Sequence, residues 1–207
     1  GRERFEAAVA HVYNPHPSDW AGRFELLLIG NGADRDASRA ALTEAGFGSP
    51  MPGVWVAPSN VPTPSLAKGA IRLEVSADDA TGRRLIEASW SLERTAESYR
   101  EFMKTFAPLE DWVRAANNIT PADAILARVL LIHHYRRVIL RDPLLPAALL
   151  PEAWPAPEAR QLCAKLYQSL LPASETWLDA NGESSSGPLR PPGPELSRRF
   201  SDVQRNM

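Results

Sequence analysis

The sequence lacks the features that would place it in several classes of protein. It has one cysteine, so it forms no internal disulfide and carries no cysteine-rich zinc site. Its formal net charge is only -2, which argues against nucleic-acid binding through bulk positive charge. The most apolar stretch, residues 125–140, is interrupted by basic side chains, so we expect no membrane contact. We also expect no secretory leader and a cytoplasmic location.

Patterns of the commonest catalytic and metal sites are also missing. There is no Gly-x-Ser-x-Gly turn. His133 and His134 point about 100° apart on a predicted helix and have no Cys, Asp or Glu four residues away, so they are not expected to share a metal ion. Asp34 and Asp36 follow the first strand, where small nucleases of the ferredoxin-like fold hold a divalent ion, but acids are also typical of a helix start. We predict no catalytic residue, no metal and no resident cofactor.

Residues 18–90 are predicted to form a small α+β domain. Apolar runs predict strands at residues 24–29 and 54–56, and alternation predicts a half-buried strand at 71–75. Amphipathic helices are predicted at 34–45 and 78–90. This order is most of a ferredoxin-like unit. Because unpaired strand edges must be covered, we predict that Val54, Trp55 and Val56 form an edge strand at a homodimer interface.

From residue 91 the pattern changes to helices only, which predicts an all-helical domain over residues 91–180. An apolar seam runs along residues 92–106, and a separate helix is predicted at 109–116. Thr120 and Pro121 start a largely apolar helix that is expected to reach residue 141 at the centre of this domain. Cys163 lies on the apolar stripe of the next helix, and Trp177 closes the last one. Residues 181–207, rich in Gly, Ser and Pro, cannot order themselves alone, although residues 198–200 could dock as a short peptide.

The helix that ends near residue 141 carries the strongest chemical signal. Its basic residues are Arg128, His133, Arg136, Arg137 and Arg141, and it has no acidic residue after position 124. His133, Arg137 and Arg141 are spaced four residues apart and share one face. Arginines near a helix C-terminus suit phosphate groups. The structural alternative is that they complement the helix dipole and pair with acids such as Asp142.

Several segments resemble the PaaX family, bacterial regulators of phenylacetic acid degradation. In the first domain the matching segments are residues 20–23 (WAGR), 46–48 (GFG) and 52–58 (PGVWVAP). In the helical domain they are 90–92 (WSL), 99–102 (YREF), 106–109 (FAPL), 133–137 (HHYRR), 141–146 (RDPLLP), 149–151 (LLP), 154–155 (WP), 159–163 (ARQLC) and 166–167 (LY). Their order and spacing extend over nearly the whole chain up to residue 180.

The resemblance implies three parts: a winged helix that binds operator DNA, a central ferredoxin-like domain similar to small CRISPR-associated nucleases, and a helical C-terminal domain. We expect residues 1–17 to be the exit helix and linker of a winged helix that this sequence does not contain. The family's effector is phenylacetyl-CoA, which releases the repressor from DNA. The resemblance therefore implies phosphate contacts from the basic helix. Tyr135 and Trp154, close in sequence to the arginines, are candidates for the acyl end.

We therefore expect a repressor of phenylacetate and aromatic catabolism genes, of which this chain is the dimerisation and effector-sensing part. Its expected partners are a second copy of the chain, operator DNA through the winged helix, and an aryl-acyl-CoA effector. The alternative is an enzyme of the ferredoxin-like class, either a relic metal-dependent nuclease or an acyl-CoA thioesterase.

Overall fold

The structure is a computed structural model. It describes residues 12–13, 15, 19–30, 35–59, 61–65, 69–115, 119–184, 187–189, 191–196 and 198–204. Contacts divide the chain into two units. The sheet unit comprises His16–Arg94 and Asp142–Trp154, and the helical unit comprises Gly1–Pro15, Thr95–Arg141 and Pro155–Met207.

The sheet unit is built on four antiparallel strands. In chain order its elements are β1 (Arg23–Leu28), α1 (Arg35–Glu44), β2 (Gly48–Met51), β3 (Val54–Pro58), β4 (Ile71–Ser76) and α2 (Asp79–Ser89). The strands lie in the order β2-β3-β1-β4, and Leu26 is opposite both Val56 and Leu73. The predicted strands and helices are confirmed with small shifts at their ends. The short strand β2 has no apolar alternation and therefore no signal in the sequence.

Alternation along β1 gives the sheet two apolar faces. Phe24 belongs to a buried cluster with Val56 and with Ile86 of α2, whereas Leu27 belongs to a second cluster with Trp55 and with Leu42 of α1. The two helices therefore cover opposite faces of the sheet.

This arrangement bears on the fold class. A ferredoxin-like unit runs β-α-β-β-α-β. Here no α-helix is present among the described residues between β3 and β4, and the second helix follows β4. The α+β class is confirmed, but the ferredoxin-like and nuclease-like form is not.

The prediction that Val54, Trp55 and Val56 form an edge strand is wrong. β3 pairs with β1 on one side and β2 on the other, and Trp55 and Val56 are buried on the two faces of their own sheet. The edge next to β1 is β4, and it is not the half-buried strand that its alternation predicts. Ile71 is 62% exposed and Leu73 is 44% exposed, because α2 covers only the Val75 end of this strand.

The segment Asp142–Trp154 belongs to the sheet unit, although a domain boundary at residue 90 would place it with the helices. Leu145 and Leu149 are buried in the cluster around Ile86, and Leu149 lies in a 3₁₀ turn, Ala147–Leu149. The Arg83 guanidinium donates a hydrogen bond of 3.2 Å to the Ala148 carbonyl. A long-range return of the chain of this kind leaves no local pattern in the sequence.

The helical unit is formed mainly by three long helices, α3 (Leu92–Ala115), α4 (Pro121–Ile139) and α5 (Ala156–Asn181). The separate helix predicted at residues 109–116 is wrong, because α3 continues through Pro108. The helix α5 runs through Pro172 and ends at Asn181, shortly after Trp177. A proline inside a helix removes one backbone hydrogen bond. Packing of the apolar face on both sides of the proline outweighs that loss. Within the described ranges, no helix is both long and apolar enough to cross a membrane.

The start of α4 is confirmed, because Thr120 caps it and Pro121 occupies its first turn. Its expected central position is wrong. Only one stripe is buried, consisting of Ala124, Arg128, Leu131, Tyr135 and Ile139. The helix leaves Leu126 and Val129 more than half exposed.

Part of the tail is ordered against the helical unit. Two short strands, β5 (Glu183–Ser184) and β6 (Gly187–Pro188), pair with each other, and a final helical turn, α6, covers Ser201–Gln204. Phe200 is fully buried, which confirms that residues 198–200 dock as a short peptide.

Candidate anion-binding groove

The amphipathic character of α4 creates the site. Residues that point into the unit are apolar apart from Arg128 and the phenol of Tyr135, whereas Arg136, Arg137 and Arg141 are exposed. The helix N-terminus has its own acid, Asp123, in the first turn, and the last turn carries Arg136 and Arg137. Cations at the C-terminal end of a helix interact favourably with its dipole, so the basic residues at this end also stabilise α4 itself.

A groove of about 660 Å³ opens along this side of α4. It brings together all five residues predicted for phosphate contacts, namely Arg128, His133, Arg136, Arg137 and Arg141. Its apolar wall consists of Val129, Ile132 and Leu140. Three further residues, Tyr13, Tyr167 and Arg199, complete the lining and have no counterpart in the sequence predictions. Among the residues that the structure describes, five arginines and no carboxylate line the groove.

The arginines of the groove fall into two groups. Arg128 is buried, its Nη1 lies 2.5 Å from Oε1 of Glu175, and its guanidinium lies 5.8 Å from the centre of the Tyr167 ring. Its charge is therefore already compensated. By contrast, no carboxylate in the described part of the chain pairs with Arg136, Arg137 or Arg141. Ion pairing, one part of the structural alternative, therefore applies to Arg128, whereas the interaction with the helix dipole applies to Arg136 and Arg137 in the last turn.

The far end of the groove is held by the tail. Nη1 of Arg199 donates a hydrogen bond of 3.0 Å to the Tyr167 hydroxyl, and its guanidinium lies 4.4 Å from the centre of the Tyr13 ring. Burial raises the pKa of the Tyr13 phenol, so it stays neutral and does not oppose an anion. Tyr13 and Arg199 come from opposite ends of the sequence, and no spacing signal could have connected them to α4.

A second, smaller groove of about 320 Å³ lies on the other side of Arg137 and Arg141, between α3 and α4. Its lining includes Glu101 and His134, whose ring lies 5.4 Å from that of Phe106. Because a carboxylate lines it, this groove is less suited to an anion. Arg137 and Arg141 stand on the ridge between the two grooves and can reach into the larger one.

The two residues predicted for the acyl end do not line the groove, so this prediction is corrected. Tyr135 is fully buried, with its ring centre 5.5 Å from that of Phe102. Tyr135 lies four residues from Leu131 and from Ile139, so helical periodicity places it on the buried stripe of α4. Trp154 belongs to the sheet unit, where it packs against the cluster around Ile86.

No catalytic constellation is present in the described ranges. They contain no group of three His, Cys, Asp or Glu side chains that could hold a metal ion, and the rings of His133 and His134 lie edge to face at 5.8 Å. Cys163 is fully buried, and burial raises the pKa of its thiol well above the usual range, which makes it a poor nucleophile. Asp36 is exposed in the first turn of α1, and Asp34 lies outside the described residues.

The fold and the groove together define an α+β protein whose helical unit offers a basic site without catalytic groups. Comparison with known proteins gives the family. The family model described as "PaaX-like protein C-terminal domain" matches residues 90–180. The chain is 34% identical over 212 residues to the transcriptional repressor PaaX of Escherichia coli (strain K12), an alignment that covers 95% of this chain and 67% of the repressor.

The chain therefore belongs to the PaaX family, whose members are transcriptional regulators rather than enzymes. The resemblance seen in the sequence motifs is confirmed. Among solved structures, the uncharacterized protein Rv0674 from Mycobacterium tuberculosis is similar in fold, with a TM-score of 0.60 at 22% identity. That similarity covers 84% of this chain and 71% of the other chain.

Proposed function

We propose that this chain is the effector-sensing part of a repressor of phenylacetate catabolism genes, and that an aryl-acyl-CoA such as phenylacetyl-CoA binds in the groove along α4. The observation that carries the proposal is the set of three exposed arginines, Arg136, Arg137 and Arg141, that line this groove and have no carboxylate partner within the described ranges. The membership in the PaaX family supports the regulatory role.

The groove suits the chemistry of coenzyme A. The phosphates of coenzyme A carry most of its charge, and guanidinium groups bind phosphates through paired hydrogen bonds. His133 is exposed beside them and can add a donor. Val129, Ile132 and Leu140 offer an apolar wall for the less polar pantetheine arm. Arg128 is assigned a positioning role, because its charge is already paired with Glu175.

Release from DNA requires that the effector bind one conformation of the repressor better than another. The proposed mechanism is such a population shift, in which the thioester favours the arrangement whose winged helices do not match the operator.

We propose that the repressor acts as a homodimer in which the β4 edges of the two copies pair. The strand β3, predicted for this role, lies in the interior of the sheet. The backbone N–H of Ala77, directly after β4, donates a hydrogen bond to the Gly22 carbonyl directly before β1. Because this direction alternates along a strand, the N–H and C=O groups of the odd-numbered residues of β4 point to β1. Arg72, Glu74 and Ser76 then point theirs outwards. An antiparallel pairing of two copies centred on Leu73 places Arg72 of each copy opposite Glu74 of the other. This self-complementary register also covers the exposed side chains of Ile71 and Leu73.

Calorimetric titration with phenylacetyl-CoA, with coenzyme A and phenylacetate titrated separately, tests the effector site. We expect the thioester to bind in the micromolar range and Arg137→Ala to weaken it by about tenfold or more, since a hydrogen bond to a charged group contributes about 1.5–3 kcal/mol. Arg100→Ala is the matched control. Arg100 is also exposed in the helical unit, but it pairs with Glu97 and lines neither groove described above.

Two results would count against the proposal in different ways. Thioester binding that survives Arg137→Ala would keep the function and place the site elsewhere, and Arg100→Ala is expected to leave binding unchanged. Absence of binding for all three compounds would contradict effector sensing by these residues.

A further inference from the structure

The tail closes an aromatic box next to the groove. Phe200 is fully buried, and its ring centre lies 5.3 Å from that of Tyr13, 5.5 Å from Tyr167 and 6.1 Å from Tyr135. The Arg160 guanidinium lies 5.2 Å from the centre of the same ring. The box therefore encloses one benzyl side chain between three phenol rings and a cation, an environment that is favourable for any aromatic ring.

The box and the groove share their walls. Tyr13 and Tyr167 contact the Phe200 ring and also line the groove, and Arg199, the residue before Phe200, lines the groove as well. Together they form one elongated site. Its basic end is open, and its aromatic end is filled by the chain itself.

Side-chain contacts hold residues 198–204 against the helical unit. Besides the burial of Phe200 and Val203, the tail is tied by the hydrogen bond from Arg199 to the Tyr167 hydroxyl and by a long one, 3.5 Å, from Gln168 Nε2 to the Arg199 carbonyl. Phe200 has a φ of +59°, in the left-handed region that bulky side chains rarely adopt. Such backbone strain persists only where the surrounding packing holds it. Release of the tail would relieve this strain.

From these contacts we infer that the Phe200 box is the aryl subsite of the effector, and that residues 198–204 are an internal competitor that an arylmethyl thioester displaces. The side chain of phenylalanine is a benzyl group, the same group that phenylacetyl-CoA carries beyond its carbonyl carbon, so a box that accepts one accepts the other. Coenzyme A without an aryl group would bind the arginines and leave the tail in place. This inference rests on the proposed function.

Affinity measurements provide the first test. Removal of the competitor by Phe200→Ala should tighten binding of phenylacetyl-CoA by about tenfold or more, since the apparent affinity is reduced by the fraction of molecules whose site is plugged. Binding of coenzyme A, which does not enter the box, should not tighten. Because Phe200→Ala also creates a cavity, Val203→Ala provides an independent variant. It loosens the same tail at another buried position and leaves the box intact, so it should tighten thioester binding in the same direction by a smaller factor.

A control and a second readout separate the possible outcomes. Leu189→Ala, at an exposed tail position outside residues 198–204, should leave the affinity unchanged. Hydrogen exchange of the wild-type chain should show faster exchange at residues 198–204 with phenylacetyl-CoA bound than with coenzyme A bound. If the thioester binds but exchange of these residues is unchanged or slower, the tail is a structural element and the inference is wrong, whereas the proposed function survives. If no coenzyme A compound binds, the proposed function fails, and this inference fails with it.

Discussion

Nη1 of Arg128 lies 2.5 Å from Oε1 of Glu175, and this ion pair connects α4 to α5 at the inner wall of the groove. Only 11% of the Arg128 side chain and 22% of the Glu175 side chain are exposed. Both charges are therefore largely removed from water, and each depends on the other for compensation. The pair explains why one arginine of the basic helix belongs to the fold, while its neighbours remain available to a ligand.

Removal of the Glu175 carboxylate should destabilise the helical unit. Glu175→Ala is expected to lower the free energy of unfolding by about 2–3 kcal/mol, because it leaves the Arg128 charge buried without a partner. Urea denaturation followed by circular dichroism measures the change. Glu97→Ala, which breaks the exposed pair with Arg100, is the matched control and should cost about 0.5 kcal/mol or less. Equal losses in the two variants would contradict the structural role assigned to Arg128.

Gly48 should tolerate no side chain. A Cβ atom at this position would lie 2.6 Å from the Trp90 ring and 2.8 Å from Cβ of Ser89, both of which are fixed by the end of α2. Overpacking of this kind typically costs about 1–3 kcal/mol, so Gly48→Ala should lower the thermal midpoint of unfolding by several degrees. Gly30→Ala provides the comparison, since a Cβ at Gly30 meets nothing within 4 Å. Similar midpoints for the two variants would show that β2 and α2 can move apart.

The cap of α2 should make part of the stability of the sheet unit depend on pH. The backbone N–H of Thr81 donates a hydrogen bond of 2.7 Å to Asp78, and this bond, together with one from the Thr81 side chain, lowers the pKa of the Asp78 carboxyl. A carboxyl whose pKa is lowered by folding stabilises the fold above its ordinary pKa of 3.8, and it loses this contribution as the pH falls through the lower, folded value.

Thermal unfolding of the wild type and of Asp78→Ala therefore should differ at pH 6 and converge as the pH falls below about 4. Asp78→Asn keeps a side chain that caps well but does not titrate, so its difference from the wild type should be small at pH 6. A constant gap between wild type and Asp78→Ala down to the lowest pH would mean that the charge of Asp78 has no part in the cap.

Helices and strands were predictable where a local sequence pattern determines them. The site was predictable only in part, because some of its residues are brought together by contacts between distant parts of the chain. An apolar run identified β1, alternation identified β4, and a cap with a proline located the start of α4. The helical spacing of His133, Arg137 and Arg141 gave the basic face of the groove. The same spacing places Tyr135 on the buried stripe, so its assignment to the ligand relied on proximity in sequence where periodicity was the better guide.

Other features depend on contacts between distant parts of the chain. Tyr13 and Arg199 reach the groove from the two ends of the sequence. The same holds for the return of residues 142–154 to the sheet unit and for the interior position of β3, which requires β2 as a neighbour. The break predicted after residue 106 is wrong because the cost of the hydrogen bond that Pro108 removes is local, whereas the packing of α3 that offsets it is not.

The proposed dimer can be tested at its symmetry axis. In the self-complementary register of β4, Leu73 of one copy lies opposite Leu73 of the other, so any charge placed there meets its own copy. Leu73→Lys and Leu73→Glu should each dissociate the dimer, as seen by light scattering coupled to size-exclusion chromatography. Leu126→Lys, which puts a charge on an exposed leucine of α4, should leave the dimer intact.

An equimolar mixture of the Leu73→Lys and Leu73→Glu proteins should dimerise again, because the introduced lysine of one copy then faces the introduced glutamate of the other. Recovery in the mixture cannot come from a general loss of folding in either variant, since a misfolded chain would not be repaired by a partner. A wild type that is monomeric at all concentrations, or variants that remain dimeric, would remove β4 from the interface.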